Sequence, residues 1–479
     1  MGSTAIIGKT VHKTVRWVTN QLQRSVPYEA HNPFLEGPFA PIGAEYTETN
    51  LHVQGEIPKA LKGLLLRMGP NPLDVENPAV YHWFVGDGMV HALRLDDGKA
   101  VWYRNRYIGV DSVNQKLGKP SLPGPRRGVQ DIVNTNIIGH AGKLWALIEA
   151  GAYPVELDAE LNSVRHGLFN SKTSLPFTAH PHVDPDTGTI HAVCYDAFMN
   201  NNKLCYIQID KDGQLIHHVS IPVRHGPMIH DCAITQSKVL VLDLPTTFSY
   251  TRVLKGSKFP YIWNPRHKAR IGILAHDGKA KDIRWFSVDP CCIFHTSNAF
   301  DLANGDVVLD AAVHDRTFDQ SLQGPVEKDV KVTFERWTFK FATGQVERKV
   351  ISDIAQEFPR MDERRAGKPY RYAYTLSIGE GAVSVAPNYL IRHDLQTGEL
   401  IEHHYGADKL TGEVIFVPRH PNAAENDGWL MSYVHDIHCG FSQVVILDAQ
   451  KMGEAPLAVI DLPIRVPLGF HGNWVADQA

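Results

Sequence analysis

Histidine is the residue in excess, at 25 of 479 positions, and imidazole is the commonest side-chain ligand for metal ions. Four histidines stand in distinctive settings. His180 follows Phe177-Thr178-Ala179 and precedes Pro181, and His230 lies in Met228-Ile229-His230-Asp231. His295 lies in Phe294-His295-Thr296-Ser297, and His471 in Gly469-Phe470-His471-Gly472-Asn473-Trp474. They are separated by 50, 65 and 176 residues. A helix-borne zinc motif would place two histidines within a few residues; wide gaps suit ligands delivered one by one from successive repeats onto a common axis. Spacing alone leaves many quartets open, and each of these positions also reads as an ordinary core or surface histidine. Two rival clusters exist. His180 and His182 form an HxH pair whose rings share one face of a strand, although the Asp184-Pro185-Asp186-Thr187-Gly188 turn that follows puts His182 near a loop. His435-Asp436-Ile437-His438-Cys439 is locally metal-competent but has no partner cluster to complete a tetrahedral site.

The elements that must position these groups are short and β-rich. Runs such as Lys143–Ala150, Thr189–Tyr195, Lys203–Asp210, Lys238–Leu244, Asp306–Val313, Val332–Phe341 and Gln443–Asp448 are apolar and β-branched. Turn dipeptides separate them: Asp97-Gly98, Asp212-Gly213, Asp277-Gly278, Asn304-Gly305, Thr343-Gly344 and Thr397-Gly398. No helix-period stretches alternate with the strands, so a parallel α/β sheet is not expected. About 450 residues of such hairpins outgrow one sandwich, and radial repetition leaves few exposed edges. The expected fold is all-β, a seven-bladed β-propeller at roughly 64 residues per blade. Residues 31–479 form this single domain, after an N-terminal segment of residues 1–30.

That segment holds the clearest helical pattern. Ile7, Val11, Val15, Val18 and Leu22 recur at three- and four-residue steps, Lys9, Lys13, Arg16 and Arg24 decorate the other faces, and no acid precedes Glu29. It reads either as a basic amphipathic helix resting on a membrane surface or as a terminal helix packed on its own domain.

Composition excludes other classes. With 48 Lys+Arg, 52 Asp+Glu and a net charge of −4, the chain has no electrostatic footprint for nucleic acid. At 43% apolar and 21% charged it is neither disordered nor fibrous. The six cysteines (Cys194, Cys205, Cys232, Cys291, Cys292, Cys439) include no CxxC pair, which fits a reducing cytoplasm. No signal peptide or membrane span is expected, and Ile6 departs from the myristoylation pattern.

The chain resembles the carotenoid cleavage oxygenase family, including its bacterial apocarotenoid and lignostilbene dioxygenase branches, from about Gly55 onward. The stretches that carry the likeness are Arg67–Pro72 (RMGPNP), Phe84–Met89 (FVGDGM), Asn134–Asn136 (NTN), His140–Gly142 (HAG), Ala179-His180-Pro181, Ile229-His230-Asp231, Glu357–Arg360 (EFPR), Glu413–Arg419 (EVIFVPR) and His471–Trp474 (HGNW). The resemblance implies a propeller capped by loops and helices, with a non-haem Fe(II) held on the axis by His180, His230, His295 and His471. It further implies that Glu149, Glu357 and Glu413 accept hydrogen bonds from ligand imidazoles, fixing tautomer and raising basicity, and that Thr135 lies close to the iron.

The implied reaction is oxidative scission of a conjugated C=C bond with O2 to two carbonyl products, with no side chain acting as acid or base. Two substrate branches compete. Stilbene-cleaving members present a Tyr and a Lys to a phenolic oxygen. Here the lysine position is Ile148, and the segment Asp111–Arg127, where the tyrosine would fall, has none; Phe84 suits either branch. An apolar residue in place of the ammonium favours a carotenoid or apocarotenoid, with stilbenoid or phenylpropenoid cleavage as the alternative. A lipophilic substrate would give the basic N-terminal helix a role in peripheral membrane contact. Another class, a non-catalytic binding propeller, gains no support, because all four histidines and all three glutamates are present. Phe177, Phe294 and Phe470 flank the histidines, and strand alternation predicts that Phe294 and Phe470 turn away from the cavity.

Overall fold

A computed structural model describes residues 17–128, 130–198, 201–319, 322–325, 329–379 and 387–477. The turn dipeptides close antiparallel hairpins, with Gly98, Gly213, Gly305, Gly344 and Gly398 at positive φ, where a Cβ would be strained. Seven antiparallel sheets of four to six strands result, together with a separate hairpin of Thr246–Phe248 and Tyr261–Trp263. The innermost strands, in chain order, are Asn136–His140, His182–Val183, Cys232–Ile234, Thr296–Asp301, Gln356–Met361, Ile415–Pro418 and Gly472–Ala476. From His182–Val183 round to Asn136–His140 they adjoin in sequence about a central axis. This is the seven-bladed propeller that hairpin spacing implied.

Closure uses both ends of the chain. Gly472–Ala476 supplies the inner strand of the first blade, with Gly472 opposite Arg67 on Gly63–Pro70. Val53–Gly55 supplies the outer strand of the last, with Val53 opposite Ile460. Gly472 is required there because a Cβ would meet the Leu66 carbonyl oxygen at 2.3 Å. Ring closure leaves fewer free edges to template aggregation. The apolar core lies between blade faces, as where Val193, Leu204 and Tyr206 meet Val239 and Val241.

The cap over the axis is made of short pieces. Turns of 3-10 helix at Pro33–Leu35, Gly37–Phe39 and Trp83–Val85 bring Phe34, Phe39 and Trp83 against Phe470. Short helices lie at Asp111–Lys116 and Tyr250–Leu254. Residues 17–24 are helical, with Leu22 and Val26 against Gly256 and Trp17 and Val18 exposed; the earlier part of the expected helix lies outside the described residues. All six cysteines are free, and only Cys439 is exposed.

Candidate metal centre and its cavity

Each inner strand presents one residue to the axis at or within two positions of its start. Taken in chain order these are Thr135, His180, His230, His295, Glu357, Glu413 and His471. The blades thus turn separations of 50 to 176 residues into contact. One ligand nitrogen from each of the four histidines lies within 4.8 Å of the others.

Hydrogen bonds fix three of the four rings. The Nδ1–H of His230 donates to Glu149 (3.1 Å), that of His295 to Glu357 (2.5 Å) and that of His471 to Glu413 (3.0 Å). Their Nε2 atoms are then lone-pair acceptors, yet those of His230 and His295 face each other at 3.3 Å. The Nε2 of His180 is buried with no partner among the described residues. Lone pairs converging in a dry site repel unless a cation lies between them. Metal–nitrogen bonds of about 2.0–2.1 Å at right angles put such atoms about 3 Å apart, so the donor set fits a metal ion.

Glu357 and Glu413 stay anionic. Burial pushes Glu357 up, but His295 and His314 outweigh it and hold it below the usual carboxylate range. Glu357 also accepts from His314 Nε2 (2.9 Å) and the Phe358 N–H (2.6 Å). For Glu413, burial is outweighed by Arg360 and His471, which hold it at about 2; its second oxygen accepts from the Gly472 N–H at 2.9 Å. Glu149 comes from the end of a second strand, Lys143–Leu147, rather than an inner one.

The rival clusters separate. His182 turns away from His180 and pairs with Asp231 at 2.8 Å. Burial opposes charge on both, but their attraction wins, raising His182 and lowering Asp231. Asp231 also accepts from the N–H and hydroxyl of Thr296, tying three inner strands together. His435 is buried, whereas His438 is exposed and bonded to Asp408 at 2.9 Å.

Above the histidines lies a cavity of about 300 Å³ whose wall includes Phe84, Thr135, Ile148, Phe259, Phe294 and Phe470. Phe84 sits edge-on to Phe259, Phe318 and Phe470 at 5.5–5.9 Å. Asn134 fixes this corner: its amide donates to the carbonyls of Phe84 and Gly86, and its oxygen accepts from the Thr135 hydroxyl (2.9 Å). Strand alternation misplaces two phenylalanines. Phe294 and Phe470 face the cavity, because each precedes its strand by two residues and lies in a loop where alternation does not hold. Phe177 instead packs on Phe169 in the core. Sequence reading missed Arg67, Tyr195 and Tyr261 on the wall; only Arg67 carried a signal, within RMGPNP.

A propeller with an axial four-histidine site beneath an aromatic-walled cavity defines the carotenoid oxygenase class of enzyme. The sequence matches the profile of the retinal pigment epithelial membrane protein family over residues 39–476, and the chain belongs to that family. It is 39% identical to a carotenoid cleavage oxygenase of Mycobacterium tuberculosis, over 93% of this chain and 98% of that protein. Among solved structures, a Pseudomonas brassicacearum lignostilbene dioxygenase superimposes with a TM-score of 0.83 at 28% identity, covering 95% of this chain and all of the other. A variant of Synechocystis apocarotenoid oxygenase gives 0.79 at 26% identity, covering 91% and 97%. The protein is an oxidative-cleavage dioxygenase.

Proposed function

We propose that His180, His230, His295 and His471 bind Fe(II), and that the enzyme cleaves a conjugated double bond of an apocarotenoid or carotenoid to give two carbonyl products. The observation that carries this reading is the wall. Ile148 adjoins Glu149, the partner of His230, and shares a mostly aromatic and aliphatic lining with Phe84, Phe294 and Phe470. Such a wall desolvates a polyene favourably, at roughly 25 cal/mol per Å², and at position 148 it offers an apolar side chain rather than an ammonium to pair with a phenolate. Bound Fe(II) supplies the site where O2 meets the electron-rich alkene. The chain's own residues do the rest. Glu149, Glu357 and Glu413 hold the Nδ1 protons and so aim the Nε2 lone pairs. Phe84, Phe294 and Phe470 hold the chain and exclude water, and Thr135, its hydroxyl committed to Asn134, shapes the wall beside His471, whose N–H donates to its carbonyl.

A second reading, cleavage of a hydroxystilbene, is favoured by the Tyr195 and Tyr261 hydroxyls on the wall. Aerobic incubation of Fe(II)-loaded protein with a long apocarotenal and a hydroxystilbene together, read by mass spectrometry, separates the two. Aldehydes from the apocarotenal support the first reading and their masses fix the bond; aldehydes from the stilbene alone overturn it.

Peripheral membrane contact is proposed through the exposed Trp17, Val18, Tyr250 and Leu254. The segment around Gly256 that follows helix Tyr250–Leu254 packs against the N-terminal helix. No helix among the described residues is long and apolar enough to cross a membrane.

A further inference from the structure

The charged side chains on the cavity wall are committed, with one exception. Arg127 is paired with Asp196 at 2.8 and 3.0 Å, and the three glutamates hold imidazoles. Arg67 is only 4% exposed, yet its guanidinium makes no hydrogen bond or ion pair with any described residue. The carboxylate that attracts it, Glu413, is spent on His471, Arg360 and the Gly472 N–H. The guanidinium lies face-on over Gly412, where a Cβ would meet Nη1, Cζ and Nη2 at 2.5, 2.8 and 2.9 Å. Glycine at 412 therefore makes room for the cation against the wall.

A buried cation without a partner is costly, and guanidinium is the group best shaped to take two oxygens of a carboxylate. We infer that Arg67 receives the oxygenated end of the substrate, a carboxylate or aldehyde oxygen, and so fixes which double bond lies over the histidines. The inference rests on the reading of the cavity as a polyene site and narrows it to polar-ended apocarotenoids over hydrocarbon carotenes.

The test uses three polyenes of equal length ending in a carboxylate, an aldehyde or a methyl group. Wild-type affinity, followed by quenching of tryptophan emission, should rank acid first, aldehyde next and hydrocarbon last. R67M should raise KM for acid and aldehyde about 10–100-fold and leave the hydrocarbon unmoved, while R67K should recover much of the acid preference. Equal losses for all three would mean that Arg67 acts only through Glu413, and overturn the inference. Should R67M fail to fold or bind metal, the wild-type ranking decides, and equal affinities overturn the inference. If no polyene is cleaved, the proposed function fails, while the binding ranking still tests Arg67.

Discussion

The Nε2 atoms of His230 and His295 face each other across 3.3 Å, and the Nδ1–H of each ring already donates to a glutamate. Between two neutral rings that contact is unfavourable without a cation between them, so metal binding and stability should be linked. Fe(II), or Co(II) in its place, at about 1,000 times its Kd should stabilise the fold by about 4 kcal/mol. Thermal melting under argon should show this as a clear rise in Tm for wild type and none for H180Q or H471Q. An unchanged wild-type melt would remove the metal from the four-histidine site.

The three glutamates should not be equivalent. Glu357 holds His295, His314 and the Phe358 N–H together, whereas Glu149 holds one imidazole, that of His230, at 3.1 Å. Changing any of them to Gln should weaken metal affinity or rate by roughly 10–100-fold, with E357Q most severe and E149Q mildest. Metal content after dialysis, measured beside turnover, checks the order. Three variants indistinguishable from wild type would refute the orienting role.

Ile148 tests the branch. An I148K ammonium beside Glu149 must be desolvated in an apolar cavity. It should lower kcat/KM for a polyene at least about tenfold while improving turnover of a hydroxystilbene, whose phenolate it can pair. Steady-state comparison of the two substrates on both proteins gives the answer, and an unaltered ratio would show that position 148 does not select.

The N-terminal patch should matter for partitioning but not for chemistry. Deleting residues 1–25 should reduce sedimentation with phosphatidylcholine–phosphatidylglycerol vesicles and leave turnover of detergent-solubilised substrate within about twofold, because no described residue before Phe39 lines the cavity. Unchanged vesicle binding would sink the membrane role.

By itself the sequence determined the strand grammar and the chemical identity of the axis. Alternating apolar runs and positive-φ glycines are local properties, readable without knowing what packs where, and they specify hairpins in a number that only a closed ring accommodates. The histidines and glutamates were legible through the short family motifs around them, because their spacing alone left many quartets open. Tertiary structure decided where each side chain went. His182, two residues from His180, was diverted to Asp231 because two neighbouring blades place that carboxylate against it. Phe294 and Phe470 entered the cavity because they sit in loops whose direction is set by the cap, not by the strand period. Arg67 was left without a hydrogen bond or ion pair among the described residues because Glu413, which the last blade brings near it, is already claimed by His471, Arg360 and Gly472. Periodicity fixes which face of a strand a residue occupies, but competition for one hydrogen-bond acceptor is settled only when the ring closes and residues hundreds of positions apart meet.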